Sequence, residues 1–284
     1  MCSILKLRHY TSFTFHVYSI FYYDKNSVES IPAIINVEFD MTEKKQGRRS
    51  AKDAEETRFQ IMTVAAEMFC DLGYERVSLR NISEKAGVSH SLIRHHFGSK
   101  EKIWHSISDC LHSYFQSYIS KIMQELPKDI TPNISIYLFS MRLFTNMIHS
   151  RRPMQLLSDS VRQTDNLVDY FIDNVGDLEY EINMLADQFN DANPDNIVNI
   201  YEIKWQMIMY ANGAVCLTPF MESTWNEGDM KATSEEALMK HWQMFNSQMI
   251  SKFQVEDEWV LNPSCLEDLI YDVPCVWKCN HDQA

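Results

Sequence analysis

The sequence predicts an all-α fold, with a small N-terminal domain of three short helices followed by a larger helical bundle. Glycine and proline number only 7 and 8 in 284 residues, so the chain contains few helix breakers. From Glu55 onwards, apolar residues recur every three or four positions, which is the period of an amphipathic helix. No useful stretch alternates as a strand would, and no internal repeat is visible. We therefore expect helices and no sheet.

Charge is distributed unevenly along the chain. The formal net charge is −13, which argues against a protein coated in nucleic acid. Residues 41–105 nevertheless carry 12 Lys and Arg against 9 Asp and Glu, whereas residues 106–284 carry 11 against 26. This asymmetry suggests a small module that faces an anion, attached to an acidic body.

The cysteines and the apolar runs indicate a cytoplasmic protein. Seven scattered cysteines form no dense disulfide framework, as is usual for reduced thiols in the cytoplasm. No run of about 18 apolar residues exists, so no membrane span and no membrane partner are expected. The apolar start, "YTSFTFHVYSIFYY", is not followed by a small-residue cleavage site, so a secretory signal is not expected.

Residues 1–54 are predicted to be a disordered extension that ends in a basic arm, "KKQGRR". Residues 1–40 show no helical period, and Met41 follows them. They form either a flexible tail or a stretch upstream of the natural start at Met41, and we favour the second interpretation. The arm could reach a phosphate or a minor groove of DNA.

The next four helices have clear start and stop signals. The first helix runs from Glu55 to Leu72 and places Ile61, Ala65, Met68 and Leu72 on one face, with Gly73 ending it. Ser78 caps "LRNISEKA", Gly87 supplies a turn, and Ser89 caps "HSLIRHHF". A long helix then starts at Lys100 and stops at about Leu126, before Pro127.

The body is predicted to contain further helices, followed by a tail of little periodicity at residues 255–284. Thr131–Pro132 and the Thr233/Glu236 capping box mark two of the helix starts. A possible break lies at Gly176. The expected helical ranges are about 131–150, 153–163, 165–189, 194–220 and 234–253.

Residues 78–97 have the layout of a helix-turn-helix, in which the second of two short helices enters the DNA major groove. Ile82, Val88, Ile93 and Phe97 are spaced to hold the two helices together. The polar residues around them are predicted to bind DNA. Helix N-termini and cations would bind phosphates, and Arg94 or the histidines would reach phosphates or the acceptor atoms of purines. The predicted DNA-binding residues are Ser78, Arg80, Ser89, His90, Ser91, Leu92, Arg94, His95, His96 and Lys100.

Two groups of residues raise the question of a metal site. His90, His95 and His96 do not have a zinc-ligand spacing, because adjacent residues point about 100° apart on a helix, so we favour DNA contact over metal or plain surface. Cys275, Cys279 and His281, with Cys265 nearby, could form a zinc site or be unrelated thiols. We favour unrelated thiols and expect no metal and no cofactor.

Residues 55–115 resemble the DNA-binding domain of the TetR family of bacterial repressors. The resemblance is carried by "TRFQIMTVAAEMFCDLGYERVSLRNISEKAGVSHSLIRHHFGSKEKIW". It implies an all-helical homodimer whose variable C-terminal domain, here residues 116–254, binds a small effector that changes the spacing of the two reading helices. Arg94 stands where the family usually has Tyr, Leu92 where a small hydroxyl residue is frequent, and Ser83 where Ala is usual. These departures leave the operator sequence open.

The body is rich in methionine and aromatic residues, which could line an effector cavity or form ordinary core and dimer interface. Arg142 could anchor a carboxylate of the effector or pair with an acid at the edge of the core. The predicted cavity residues are Arg142, Phe144, Met147, Trp205 and Met209. Met141, Met207 and Tyr210 are further candidates.

The helices at about 194–220 and 234–253 are predicted to form the dimer interface, where Ala211, Gly213 and Ala214 would allow close approach. The resemblance implies a four-helix bundle across a two-fold axis. Such a dimer would place its reading helices about 34–36 Å apart, one turn of DNA.

The sequence therefore predicts a ligand-responsive regulator, most simply a repressor, that binds a palindromic DNA operator as a homodimer and is released by a small apolar or amphipathic effector. One alternative is a helical interaction module without DNA binding. Another is an enzyme, but no nucleophile elbow, phosphate loop or metalloprotease motif is present. We therefore expect no catalytic residues.

Overall fold

The computed structural model describes residues 51–163, 167–173, 179–226 and 232–273, and within these ranges it is entirely helical and irregular, with no strand. The prediction of an all-α fold is confirmed. None of the helices in these ranges is both long enough and apolar enough to cross a membrane. Residues 1–50, which include Met41 and the basic arm, lie outside the described residues, as do Cys275, Cys279 and His281. The predicted disordered extension was drawn too long, because residues 51–54 are helical and form the start of the first helix. The helices are α1 Ala51–Leu72, α2 Leu79–Ala86, α3 His90–His96, α4 Lys100–Glu125, α5 Pro132–His149, α6 Arg151–Ser160, α7 Leu167–Asp173, α8 Glu179–Ala192, α9 Ile200–Cys216, α10 Thr218–Thr224 and α11 Ser234–Phe253.

Helices α1–α3 and the first half of α4 share one apolar core. Ile61, Ile82 and Ile93 have no exposed surface, and Phe97 and Trp104 are also buried. The predicted caps are present, because Ser78 Oγ accepts from the backbone N–H of Asn81 and Ser89 Oγ accepts from that of Leu92. Gly87 ends α2 with φ +65°, a backbone conformation that glycine adopts without steric cost. These contacts fix α3 against α2.

Leu72 is an exception to the predicted buried face of α1. The structure leaves it 49% exposed, whereas Ile61, Ala65 and Met68 are buried. The helix ends at the next residue, Gly73, whose φ is +85°. The chain turns away there, so no neighbouring helix covers the last apolar position.

The body is built around α5, which packs against the second half of α4 and against α8, α9 and α11. The Phe144 and Phe245 rings lie with their centroids 4.2 Å apart. The buried Trp242 indole donates to Thr145 Oγ1 at 2.8 Å, so the indole N–H is not left without a partner. The core thus combines aromatic packing with buried hydrogen bonds.

Two predicted helices have different bounds in the structure. Within the helix expected at 165–189 the structure describes α7 and α8, and α8 continues to Ala192. The possible break at Gly176 lies outside the described residues. The helix expected from 194 begins only at Ile200. Asn190 explains the late start, because its side chain accepts from the N–H of Val198 and donates to the carbonyl of Val198. Such side-chain bonds to the backbone compete with helix formation.

The same predicted helix also ends early, at Cys216 rather than Phe220. Pro219 has no N–H to donate to the preceding turn, so the chain breaks at Leu217 and restarts as α10. Conversely, α6 begins at Arg151, two residues before the Pro153 start that the sequence suggested.

Residues 255–273, here called the C-terminal strap, pack onto the body and are not a loose tail. Val255, Leu266, Leu269 and Val273 are buried in the main core. Tyr137 Oη accepts from the N–H of Leu261 at 2.9 Å. Two short 3-10 helices and extended backbone bury single residues at irregular intervals, which is why the segment showed little periodicity.

Candidate DNA-binding surface and effector cavity

Helix α3 presents polar side chains to solvent on a rigid support. His90, Ser91, Arg94 and His95 are exposed, and Leu92 and His96 are half-buried. The Ser89 and Ser91 hydroxyls lie 2.9 Å apart within hydrogen-bond reach. Because the apolar side of α3 is fixed in the core, its polar side is positioned to contact another molecule.

The N-terminus of α2 carries Ser78 and Arg80. Ser78 is engaged in a capping box, donating to Asn81 Oδ1 at 2.6 Å. The Arg80 guanidinium donates to Glu84 Oε1 at 2.9 Å, and this hydrogen bond raises the pKa of Arg80. The side chains of Arg80 and Glu84 are both exposed, and exposed ion pairs contribute little to stability. Arg80 can therefore exchange Glu84 for a phosphate.

Lys100 has a structural partner that the sequence did not suggest. Its ammonium donates to the carbonyl of Tyr74 at 3.0 Å and lies 3.9 Å from the centroid of the Tyr74 ring. Lys100 therefore ties the start of α4 to the turn between α1 and α2. An ammonium has three donors, so this contact leaves capacity for a phosphate.

The predicted histidine group adopts no metal geometry in the structure. The rings of His95 and His96 meet edge to face, with centroids 5.5 Å apart. Within the described ranges no three His, Cys, Asp or Glu side chains come together as metal ligands would.

An apolar cavity of about 170 Å³ lies in the body, between α4, α5, α6, α7, α8 and α9. All but one of its lining residues are apolar, and the exception is Lys204. The lining residues are Phe115, Ile119, Leu143, Met147, Pro153, Met154, Leu157, Phe171, Ile182, Lys204, Met207 and Ile208.

The structure places only part of the predicted cavity set here. Met147 and Met207 line the cavity. Phe144 and Met141 are completely buried in the core, and Tyr210 packs against Phe144 and Phe245.

Trp205 and Met209 are 60% and 46% exposed, on the outside of α9. Arg142 donates to the carbonyl of Leu269 at 3.1 Å and lies over the Tyr271 ring, so it binds the strap. The structure thus assigns these three predicted residues to places other than the cavity.

Sequence reasoning missed most of the cavity, and helix α6 carried a usable signal. Pro153, Met154 and Leu157 recur at helical spacing on one side, whereas Arg152 precedes them and Asp159 follows them in the chain. The apolar side lines the cavity.

The other side of α6 contacts the N-terminal domain. The Asp159 carboxylate accepts from the N–H of Tyr74 at 2.7 Å, and Arg152 pairs with Glu67 at 3.7 Å. The Cys70 thiol donates to the carbonyl of Arg152 at 3.5 Å, and burial raises the pKa of Cys70 to about 12. One helix therefore contacts both the cavity and the base of the helix-turn-helix domain.

Helix α7 has a similar double contact. Phe171 lines the cavity. The neighbouring Tyr170 stacks on the His105 ring of α4, with centroids 3.9 Å apart, and donates to Asp109 Oδ1 at 2.8 Å.

Large apolar side chains form an exposed stripe on α9 and α11. Tyr201, Trp205, Ile208 and Met209 on α9 and Met244 on α11 are each at least 36% exposed. A patch of this kind is typical of a protein interface.

The structure places the small residues of α9 against neighbours in the same chain. Ala211 and Ala214 are buried within the protomer, not on the stripe. A side chain at Gly213 would point towards Cε1 of His241 on α11, 3.8 Å away. These small residues let α9 approach its neighbours in the same chain.

Comparisons with known proteins find sequence similarity in the N-terminal part of the chain. Residues 61–107 match the family described as bacterial regulatory proteins, tetR family. Over 65 residues the chain is 38% identical to the HTH-type transcriptional regulator TtgR of Pseudomonas putida, covering 23% of this chain and 31% of that regulator. Over 82 residues it is 30% identical to the HTH-type transcriptional activator FasR of Mycolicibacterium smegmatis, covering 29% of this chain and 35% of FasR.

The matches thus span about a third of the length of these two regulators. Among solved structures, a TetR family transcriptional regulator from Thermus thermophilus, PfmR, aligns with 68% of this chain and 97% of its own, at 16% identity and a TM-score of 0.43.

Proposed function

We propose a function for this chain from its residues 61–107, which match the family described as bacterial regulatory proteins, tetR family, and from the geometry of its body. It is a ligand-responsive transcriptional regulator, a repressor, that binds a palindromic DNA operator as a homodimer and is released by a small apolar or amphipathic effector. The observation that carries the proposal is helix α6, which contacts the cavity through Leu157 and the helix-turn-helix domain through Asp159.

DNA binding is assigned to the exposed residues of α3 and the N-termini around it. Ser91 and Leu92 lie in the first turn of α3, where side chains approach base edges in this motif. Arg94, His95 and His96 follow them, and Ser78, Arg80, Ser89, His90 and Lys100 complete the proposed contact surface. Phosphate contacts supply most of the affinity, and base contacts supply the specificity.

The effector is assigned to the apolar cavity. A ligand there separates Leu157 and Met154 of α6 from the residues of α5 and α9 that face them. Because α6 is packed on both sides, a shift on one side moves Asp159 and Arg152 on the other. The contacts with Tyr74 and Glu67 carry that shift to the DNA-binding domain.

The homodimer is assigned to the apolar stripe on α9 and α11. Trp205 and Met209 belong to this stripe, which gives them a role outside the cavity. Trp205→Glu places charge in the centre of the stripe, and burying an unpaired charge is costly. The variant should elute as a monomer in size-exclusion chromatography, and a wild-type protein that is itself monomeric would contradict the assignment.

The central test is selection of bound fragments from the source genome, followed by gel shifts with the recovered sequence. A regulator retains fragments that share a two-fold symmetric sequence, and substitutions at Ser91 or Leu92 change which bases are preferred. Retention of no fragment, or equal retention by a variant in which Ser91, Arg94 and His95 are all Ala, would remove DNA binding from the proposal.

A further inference from the structure

We propose that the effector is an anionic amphiphile: a small aromatic or short aliphatic group enters the apolar cavity, and an acceptor-only anionic group, such as a carboxylate, binds the Lys204 ammonium. This inference rests on the proposed function, because it concerns the same cavity. It goes further by naming the chemical class of the ligand and the residue that selects it.

The size of the cavity limits the apolar part of the ligand. Its volume is about 170 Å³, close to the apolar cavity of about 150 Å³ that binds benzene in an engineered protein. One aromatic ring or an alkyl chain of similar volume therefore fills it. Met147 and Met207 border the space, and methionine side chains adapt to irregular apolar shapes.

The chemistry of the lining selects the polar part. Among the described lining residues Lys204 is the one with a polar side chain, and it offers donors but no acceptor. A hydroxyl or amide group on the ligand carries O–H or N–H donors, and no lining side chain offers an acceptor for them. An ionised carboxylate has only acceptors, so it matches Lys204 without leaving a buried donor unsatisfied.

The position of Lys204 suits a charged group. The residue is half-buried, with Nζ 5.4 Å from the centroid of the Tyr201 ring on the preceding turn of α9. Its aliphatic stem can cover apolar surface while the ammonium stays close to water. A ligand carboxylate bound to Lys204 keeps part of its hydration, and the ligand's apolar group occupies the cavity.

The test compares two probes of nearly equal shape, 4-fluorobenzoate and 4-fluorobenzamide, by fluorine NMR titration of the full chain without DNA. We expect wild-type protein to bind the benzoate about tenfold more tightly, since a hydrogen bond between charged partners is stronger than one to a neutral group. The preference should shrink with added salt, because the site is close to solvent.

Four variants separate charge from shape. Lys204→Met should weaken benzoate binding far more than benzamide binding and so remove the preference, and the benzamide binding that remains shows that the cavity is intact. Lys204→Arg should retain the preference. Lys240→Met is the matched control, because Lys240 also lies beside an aromatic ring, Trp225, but does not line the cavity. Leu157→Trp should fill the cavity and weaken binding of both probes.

The inference is overturned if wild type shows no preference or binds neither probe at millimolar concentration. It is also overturned if Lys204→Met keeps the preference, or if Leu157→Trp leaves benzoate binding unchanged. None of these results bears on DNA binding. Conversely, a Lys204-dependent preference in a protein that retains no DNA fragment would defeat the proposed function and leave the ligand class in place.

Discussion

The Asp159 carboxylate of α6 accepts a hydrogen bond from the backbone N–H of Tyr74 at 2.7 Å, and this bond joins the body to the N-terminal domain. The same carboxylate lies 3.4 Å from the place that a Cβ on Gly73 would take. Lys100 holds the carbonyl of Tyr74 from the other side. The turn between α1 and α2 is therefore fixed by one acid and one base from two different helices.

Asp159→Ala should weaken the junction. The half-buried Tyr74–Asp159 contact would lose its acceptor, and an unsatisfied backbone donor costs about 1–3 kcal/mol. We expect lower thermal stability and an effector response that is reduced more than DNA affinity, measured by calorimetry and gel shift. Asp159→Asn keeps a carbonyl oxygen and is the control. Full effector response in Asp159→Ala would show that Tyr74 does not carry the signal.

Arg94 and Lys100 should differ in their effect on stability. Arg94 is exposed on α3, so Arg94→Ala should leave Tm unchanged, weaken DNA binding and reduce the slope of log K against log salt by about 1. Lys100→Met removes the contact with Tyr74 and should lower both Tm and DNA affinity for all sequences. Arg94→Lys keeps the positive charge and is the control for Arg94→Ala. Equal Tm losses in Arg94→Ala and Lys100→Met would contradict the separation.

These residues show what the sequence could predict. The caps Ser78, Ser89 and Thr233 act on backbone groups three residues away, so local spacing was enough to place α2, α3 and α11. Lys100 was predicted to bind phosphate from its place at the N-terminus of α4, but its bond to the carbonyl of Tyr74 was not predicted, because the two residues are 26 positions apart. Such a contact depends on how two helices pack, which no local pattern contains.

The cavity was harder to predict for the same reason. Its lining comes from six helices, one or two turns of each, and the sequence does not reveal which faces of those helices meet. Trp205 and Met209 looked like lining because they are large and apolar, yet they lie on the outer side of α9. The Asn190 side chain, which delays the start of α9, likewise acts through a loop.

Tyr137→Phe should destabilise the body by releasing the strap. The Tyr137 hydroxyl donates to the buried Asn246 Oδ1 at 2.7 Å and accepts from the N–H of Leu261. Losing both bonds should cost about 1–3 kcal/mol and lower Tm by roughly 2–10 °C. Tyr271→Phe keeps the ring that Arg142 covers and should change Tm little. Equal Tm values for Tyr137→Phe and Tyr271→Phe would show that the Tyr137 hydroxyl does not hold the strap on the body.

His241 should make stability depend on pH. Burial between α9 and α11 lowers the pKa of His241, although the carbonyl of Tyr210 opposes the shift by accepting from its ring at 2.9 Å. Because the folded-state pKa lies below the unfolded value of about 6.5, the unfolded chain binds the proton more readily. Stability is therefore retained above about pH 6.5 and falls as pH drops through the folded pKa.

His241→Gln tests this expectation, since its amide can still donate to Tyr210. Chemical denaturation between about pH 5 and pH 7.5, a range chosen about the usual histidine pKa, should give a smaller loss of stability at low pH than in wild type. Identical pH profiles for the two proteins would assign the acid sensitivity to other groups.

The strap has a consequence for the order in which the protein is made. Tyr118, Tyr137 and Arg142 on α4 and α5 bond to the backbone of residues 261–271, more than a hundred residues later in the chain. During synthesis the N-terminal domain can close its core as soon as Leu156 and Leu167 have been added. The body cannot complete its core until the ribosome has delivered Val273. A truncated or stalled product would therefore carry a folded helix-turn-helix domain on a body whose core is still open.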